Sequence, residues 1–437
     1  MYFLYSVAAG LIGLLGAPWW TWALLRHGKY RAGLWERLGR VPGRLGAACS
    51  PHGCVWVHAV SVGEVLAVSG LVGELKRRLP ERRVLVSTTT ATGQKLARAR
   101  FGEENVFFFP LDFGFAVRPY LQKLRPELIV LAETEFWPNF LRLAHGCGCF
   151  LAVVNARISD RSFPRYRRAR SWMARVLRPV SLFLAQSEED ARRLQAIGAP
   201  VERVQVAGNL KYDVKPPQEP PIVAALRSAL NRGRGSPVMV AGSTVEGEEP
   251  LVLNAFRGLR QARPEAVLVL APRHPERFPA VAELLASSGL PFWRRSRWNQ
   301  TEPIAEGVFL LDSIGELGAV YALADLAFVG GSLAPRGGHN ILEPAVHGVP
   351  VLVGPHTENF RDIVGRFRAA GALRVVADAD ALAADLLYLA ANPEQRQAMV
   401  QRAALILQQH AGATARSADQ LTRLLEARQS SREPVLR

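Results

Sequence analysis

The sequence is poor in cysteine, in acid and in long apolar runs. Its four cysteines in 437 residues, Cys49, Cys54, Cys147 and Cys149, lack paired C-x-x-C spacing. That excludes a disulfide scaffold and a cysteine-bound zinc site, and fits a reduced, cytoplasmic compartment. Only one stretch is long and apolar enough to cross a bilayer, so a polytopic membrane protein is excluded. No self-similarity at solenoid-like periods occurs. Charged residues make up 21% against 49% hydrophobic, which excludes a disordered chain and leaves enough apolar surface for two cores, the number expected at this length. Acid is outnumbered: 38 Asp and Glu face 54 Lys and Arg, a net charge of +16. The excess points to a negative partner, whether nucleic acid, anionic lipid or a phosphorylated substrate.

Met1 to Leu25 carries no charge, and about 20 apolar residues span a hydrocarbon layer. An N-terminal membrane-anchor helix is therefore expected over residues 1–25. Trp19, Trp20 and Trp22 stand at its far end, and Arg26, Lys29, Arg31, Arg37, Arg40 and Arg44 follow with only Glu36 opposing. This asymmetry places the anchor in the inner membrane and the bulk of the chain on its cytoplasmic face. A cleaved signal peptide is disfavoured because no positive residue precedes the run. Gly10, Gly13, Gly16 and Pro18 weaken a spanning helix, so a helix lying in the interface stays open.

Beyond the basic neck, short apolar runs alternate with helical patterns: Val55–Val60, Val84–Thr88, Leu128–Leu131, Phe150–Val154 and Leu182–Ala185. This is the grammar of parallel βαβ units. Four prolines from Pro216 to Pro221 interrupt it, and it restarts with Val238–Ala241, Ala266–Leu270, Val308–Leu311, Leu326–Val329 and Val349–Val353. The reading is α/β: a Rossmann-like domain over 26–214, a linker over 215–221, and a second Rossmann-like domain over 222–437 that includes amphipathic C-terminal helices. Doubly wound domains bind ligands at the carboxyl ends of their strands.

The candidate motifs sit at those ends. In His58-Ala-Val-Ser61-Val-Gly63-Glu64, the pair Ser61-x-x-Glu64 fits a capping box, and Glu64 equally fits a general base if burial lifts its pKa. In Ala132-Glu133-Thr134-Glu135-Phe136-Trp137-Pro138-Asn139 two carboxylates follow an apolar strand, where they need partners; Glu133 either acts or pairs with a basic residue to hold the loop. Asn155-Ala-Arg157 opens a segment with eight arginines up to Arg178 against Asp160, interleaved with Phe163, Tyr166, Trp172 and Met173. That suits a membrane-surface or phosphate-binding face, and no nucleic-acid-binding motif accompanies it. Lys211, in Gly208-Asn-Leu-Lys211, either leans toward the ligand or stays in solvent.

In the second half, Ser243-Thr-Val-Glu246 reads as an anion-binding turn or a capping box. Pro272-Arg273-His274 puts a guanidinium after a strand. The most specific stretch is Gly330-Gly331-Ser332 through Gly337-Gly338-His339-Asn340-Ile-Leu-Glu343-Pro344. Its glycines admit close backbone approach, the helix expected near Asn340 offers amides, and Glu343 suits ribose hydroxyls, an arrangement fit for a nucleotide. Asp378-x-Asp380 reads as a helix cap, and no metal constellation stands out.

Taken in order, Ser61-Val-Gly-Glu64, Glu133-Thr-Glu-Phe-Trp-Pro-Asn139, Asn155-Ala-Arg157, Asn209-Leu-Lys211, Pro272-Arg-His-Pro-Glu-Arg-Phe278, Gly315-Glu316-Leu317 and Gly337-Gly-His-Asn-Ile-Leu-Glu343 resemble the Kdo transferases of lipopolysaccharide assembly. The resemblance covers nearly the whole chain. It implies a GT-B glycosyltransferase that moves 3-deoxy-D-manno-octulosonic acid (Kdo) from CMP-Kdo to a lipid A precursor, with the acceptor on the first domain and the donor mainly on the second. It further implies Glu64 as general base and Glu133 and Lys211 as transition-state stabilisers. Pro272, Arg273, Ile314, Gly315, Glu316, Asn340, Ile341, Leu342 and Glu343 would hold CMP. No cofactor or metal is implied, since CMP has one phosphate that protein donors can neutralise, and the partners expected are CMP-Kdo, the lipid acceptor and an anionic inner-membrane surface, without nucleic acid. Val245 stands where many members have His, which leaves no donor contact assigned there. The rival readings are another GT-B enzyme acting on a UDP-sugar, transferase or epimerase, and a membrane-tethered protein that binds anionic lipid without catalysis.

Overall fold

The computed structural model describes residues 33–46, 53–216, 219–230 and 237–430, together with Tyr2, residues 5–7, Gly10 and Leu11. Two compact units divide the chain, one of Met1–Asp213 with His410–Arg437 and one of Val214–Gln409.

In the first unit, seven parallel strands stand in the order β3-β2-β1-β4-β5-β6-β7. They are β1 (Cys54–His58), β2 (Arg83–Thr88), β3 (Val106–Phe108), β4 (Pro126–Ala132), β5 (Phe150–Ala156), β6 (Leu182–Ala185) and β7 (Val204–Val206). β1 is buried along its whole length, as expected of a parallel strand covered by helices on both faces. Its alternation serves two cores: Cys54 and Trp56 join Phe107, Tyr120 and Phe140, while Val55 and Val57 join Leu71, Leu128 and Val130. The second core is closed by the last helix, Ala413–Ser430, through Ala413, Ala418, Leu421 and Leu425. Asp213 fixes that helix start, its carboxylate accepting the amides of Gly412 at 2.6 Å and of Thr414. Sequence patterning assigns this helix to the second domain; in the structure it completes the first.

The second unit repeats the plan with β8 (Val238–Thr244), β9 (Val267–Pro272), β10 (Phe292–Arg294), β11 (Gly307–Leu310), β12 (Leu326–Val329), β13 (Val351–Val353) and β14 (Leu373–Val375), ordered β10-β11-β9-β8-β12-β13-β14. A helix already starts at Pro221, the last residue of the expected linker, with proline in the first turn where its missing N–H costs nothing.

The N-terminal membrane-anchor helix expected ahead of these units, and the inner-membrane location resting on it, are corrected. Among the described residues no helix is long and apolar enough to cross a membrane. The long helices are amphipathic instead: Pro393–His410 turns Met399, Ala403 and Ile406 inward and carries Glu394, Arg396 and Arg402 elsewhere. Apart from Tyr2, residues 5–7, Gly10 and Leu11, the segment 1–25 lies outside the described residues.

Because Leu421 is fully buried in the first unit's core, Leu421→Ala is expected to cost about 2–5 kcal/mol. Hydrogen exchange should quicken in the helix Val62–Arg78 and leave β8 to β14 protected. Loss of protection confined to the second unit would contradict the placement of the last helix.

Candidate active site

In the first sheet the chain winds outward from β1 to β3 and returns beside β1 with β4, so the topological switch point lies between β1 and β4. Doubly wound sheets leave room for ligands there. Glu64 occupies the first turn of the helix after β1, and Glu133 comes directly after β4.

Glu64 is half-buried. Its Oε2 accepts the Val60 amide at 2.9 Å, its Oε1 accepts the Ser61 hydroxyl at 3.0 Å, and its own amide donates to Ser61 Oγ at 3.4 Å. Ser61 thus caps the helix, while the Glu64 carboxylate reaches one residue past the cap, to the Val60 amide, in a variant of the capping box. Burial nevertheless pushes the Glu64 carboxyl up to about 7; the Val60 hydrogen bond opposes the rise, and the charges of Glu133 and Glu135 add to it. A carboxylate with this pKa is half ionised near neutrality, which suits a base.

Glu133 is held at φ +56°, a conformation costing a non-glycine residue about 1–3 kcal/mol. Its amide donates to Val154 O at 2.9 Å, and its carboxylate meets Lys211 Nζ at 3.3 Å. Glu135 accepts Trp137 Nε1 at 2.8 Å, and burial raises its pKa. The structure thus brings Glu64, Glu133 and Lys211 together at one end of one sheet. His58 is fully buried, stacked on Phe109 with ring centroids 3.9 Å apart, and its Nδ1 faces Ser87. Burial lowers its pKa to about 3, so it stays neutral and belongs to the core.

In the second sheet the equivalent point lies between β8 and β12. Here one buried carboxylate organises the backbone. Glu248 accepts the amides of Val245 at 3.1 Å, Gly331 at 2.7 Å, Ser332 at 2.9 Å, Leu333 at 2.8 Å and Ala334 at 3.1 Å. A Cβ on Gly330 would stand 2.6 Å from Ser243 O and 2.8 Å from Glu248 Oε2, so only glycine fits. Ser243 forms no capping box. It sits at φ +57° inside β8, while Glu246 and Glu249 both pair with Arg277, at 3.4 and 3.0 Å. Val245 is buried.

The predicted donor residues fall in three places. Pro272 ends β9, and Arg273 follows in solvent, its amide donating to Thr244 O at 2.8 Å. Ile314 and Gly315 lie exposed on a loop. Glu316 is locked by a bidentate pair with Arg295, at 3.1 and 3.0 Å, and by the Ser313 hydroxyl. Asn340 to Glu343 enter a helix of five residues, Leu342–Val346. Asn340 Oδ1 accepts the Leu342 amide at 3.1 Å, and Asn340 Nδ2 donates to Glu343 Oε1 at 3.3 Å. His339 lies beside Gly331; burial, with Arg273 and His274 adding, lowers its pKa to about 4. Electrostatics links Arg273 with His339, and Glu343 with Tyr321. Ile314–Glu316 connect to this region through the following segment, where Leu317 opens a helix, Tyr321 comes just after it, and both close over Gly242.

Sequence reading gives Glu248 only as part of an acidic helix start, without its anchoring role, and misses Arg295. For Glu248 the available signal is two adjacent acids opening an amphipathic helix and buried together with its apolar face. Glu248→Gln leaves an amide group facing backbone donors, and should cost about 3 kcal/mol or more, since hydrogen bonds to charge are worth about 1.5–3 kcal/mol each. Exchange of the Gly331–Ala334 amides should accelerate in that variant; unchanged protection would refute the anchoring role.

Comparison with known proteins identifies relatives along nearly the whole chain. A family described as 3-deoxy-D-manno-octulosonic-acid transferase (kdotransferase) matches residues 32–214, and one described as glycosyl transferases group 1 matches residues 248–405. The 3-deoxy-D-manno-octulosonic acid transferase of Haemophilus influenzae is 35% identical over 401 residues, covering 91% of this chain and 92% of that protein. The transferase of Bordetella pertussis is 38% identical over 439 residues, covering 95% and 98%. Among solved structures, a putative UDP-N-acetylglucosamine 2-epimerase from Listeria monocytogenes superposes with a TM-score of 0.57 at 17% identity, over 87% of this chain and 97% of that one; this likeness concerns the fold alone. With such identity sustained over nearly the full length of two curated relatives, the chain belongs to the 3-deoxy-D-manno-octulosonic acid (Kdo) transferase family.

Proposed function

We propose that this chain, a CMP-Kdo-dependent glycosyltransferase of lipid A biosynthesis, uses Glu64 to deprotonate the acceptor hydroxyl and its second unit to hold the CMP half of the donor. Glu64 carries the reading: it stands at the switch point with its pKa pushed to about 7. Each of its oxygens accepts one hydrogen bond and keeps a lone pair for a hydroxyl proton. As the sugar leaves CMP, positive charge develops on the ring in an oxocarbenium-like state. Glu133, paired with Lys211, steadies that charge by electrostatics. Displacement by the acceptor hydroxyl inverts the anomeric centre.

On the donor side, Arg273 extends a guanidinium that pairs with no carboxylate among the described residues and suits a single phosphate. The Asn340–Glu343 turn supplies amides, and Glu343 accepts from ribose hydroxyls. Pro272 and Ile314–Glu316 line the base and ribose, with Glu316 pre-set by Arg295 so that little order is lost on binding. For the acceptor, Arg165, Arg167, Arg168, Arg170, Arg175 and Arg178 are exposed around the half-buried Phe163, Tyr166 and Trp172. This face fits anionic lipid, arginines on phosphates and aromatic rings among acyl chains.

The test is purified enzyme with CMP-Kdo and a tetra-acylated lipid A precursor, weighing the lipid products. Glu64→Gln should lower kcat by about 10²–10⁴. In the parent enzyme kcat/KM should rise with pH through about 7 as Glu64 ionises, and this limb should vanish in the variant. The stability sign follows from the same shift. The folded state holds the Glu64 proton more tightly than an unfolded chain at 4.5, so the group costs stability as pH climbs from 4.5 toward 7. Glu64→Gln removes that cost. Near-normal turnover in a folded Glu64→Gln enzyme would remove the base assignment.

A further inference from the structure

The residues that hold Lys211 lie outside every role assigned so far. Asn155, at the end of β5, is 1% exposed and adopts φ +52°. Its Oδ1 accepts the Leu210 amide at 3.0 Å. Its main-chain carbonyl accepts Gln186 Nε2 at 3.0 Å; Gln186 Oε1 then accepts Asn209 Nδ2 at 3.0 Å, and Asn209 Oδ1 accepts the Lys211 amide at 2.9 Å. Two routes therefore run from Asn155 to the short turn Leu210–Tyr212, one directly and one through two side-chain amides. Gln186 and Asn209 each use both the donor and the acceptor of a planar amide, so each has one orientation that satisfies the chain, while Asn155 contributes its Oδ1 and its main-chain carbonyl.

The neighbouring strand end is tied to the same place. Ala132 of β4 pairs with Val154 of β5, and the Glu133 amide donates to Val154 O at 2.9 Å. Glu133 and Asn155 thus leave adjacent strands side by side, both in the left-handed region. One of them ends in the carboxylate, and the other fixes the backbone that delivers the ammonium 3.3 Å away. A lysine has four rotatable side-chain bonds, and an ion pair at a half-exposed site contributes little by itself. The order must come from the main chain beneath it.

We propose that Asn155, Gln186 and Asn209 are positioning residues forming an amide clamp that sets Lys211 against Glu133, a role resting on the reading of that pair as part of the active centre. The clamp touches neither substrate; it acts by fixing where the ammonium stands when charge develops, and misplacing such a group by about 1 Å costs on the order of 100-fold in rate.

The test is a double-mutant cycle on transfer from CMP-Kdo. Asn209→Ala removes the acceptor for the Lys211 amide, and Gln186→Ala cuts the same chain one bond earlier. Both positions are half-buried, and thermal unfolding checks each fold. Each variant should lower kcat about 10–100-fold with donor KM changed less than about twofold. In a Lys211→Ala background the same substitutions should change kcat by less than about twofold, because the group they position is gone. A merely structural loss would multiply with the Lys211→Ala loss, and that result would overturn the clamp. Lys211→Ala with undiminished kcat would instead overturn the active-centre reading and the clamp with it. Full activity in folded Asn209→Ala and Gln186→Ala enzymes, beside a crippled Lys211→Ala, would overturn the clamp alone.

Discussion

The Glu248 carboxylate is the constraint on which the second unit's ligand-facing loops depend. It is fully buried, and burying an ionised carboxylate alone would be prohibitive. Five main-chain N–H groups converge on it, and they come from both sides of the switch point. Val245 follows β8; Gly331 to Ala334 follow β12. The loops after two strands are thereby tied to one side chain. The same convergence dictates the glycines, since Gly330 passes so close to Ser243 and Glu248 that a methyl group has no room. The ordering continues outward: Ser332 Oγ accepts the Gly354 amide at 2.8 Å, and Ser332 O accepts the His356 amide at 2.9 Å.

In the first unit, a carboxylate at the corresponding place is held less completely, and the difference matters for chemistry. Glu64 has two donors and partial burial. Hydrogen bonds pull its pKa down while desolvation and two neighbouring acids push it up. The outcome near neutrality is a balance, because more donors would make a weaker base and fewer would leave the side chain loose. Capping box and base, which sequence pattern presents as competing explanations, are one geometry. The cap aims the group, and burial tunes it.

What was legible in the sequence follows from burial. Interior strands such as β1, β4, β8 and β12 are covered on both faces and show as apolar runs. The four strands that pattern reading passes over, β3, β7, β10 and β14, are three residues long and stand at the sheet edges. β7, β10 and β14 are partly exposed and leave no apolar run to find, whereas β3 is buried and apolar, and only its length of three residues hides it. Glu64, Glu133 and Lys211 were visible as motifs, yet the Lys211–Glu133 contact was not, because it joins residues remote in sequence. Ser243-x-x-Glu246 imitates a capping box, but the backbone bulges at Ser243 and the structural acid is Glu248. The helix after Asn340 is cut to five residues, with Pro344 inside it and Gly348 just beyond. The anchor expected over residues 1–25 falls largely outside the described residues, among which no helix is long and apolar enough to cross a membrane.

The last helix carries a consequence for biosynthesis. Residues 413–430 complete the core around β1, so the half of the molecule that leaves the ribosome first is finished last. At roughly 5–20 residues per second, its apolar face waits many seconds while the whole second unit is made. During that interval the apolar positions that Leu421 and Leu425 will cover stay open. A messenger truncated near its end would yield a chain whose opening half lacks Ala418, Leu421 and Leu425 from its core.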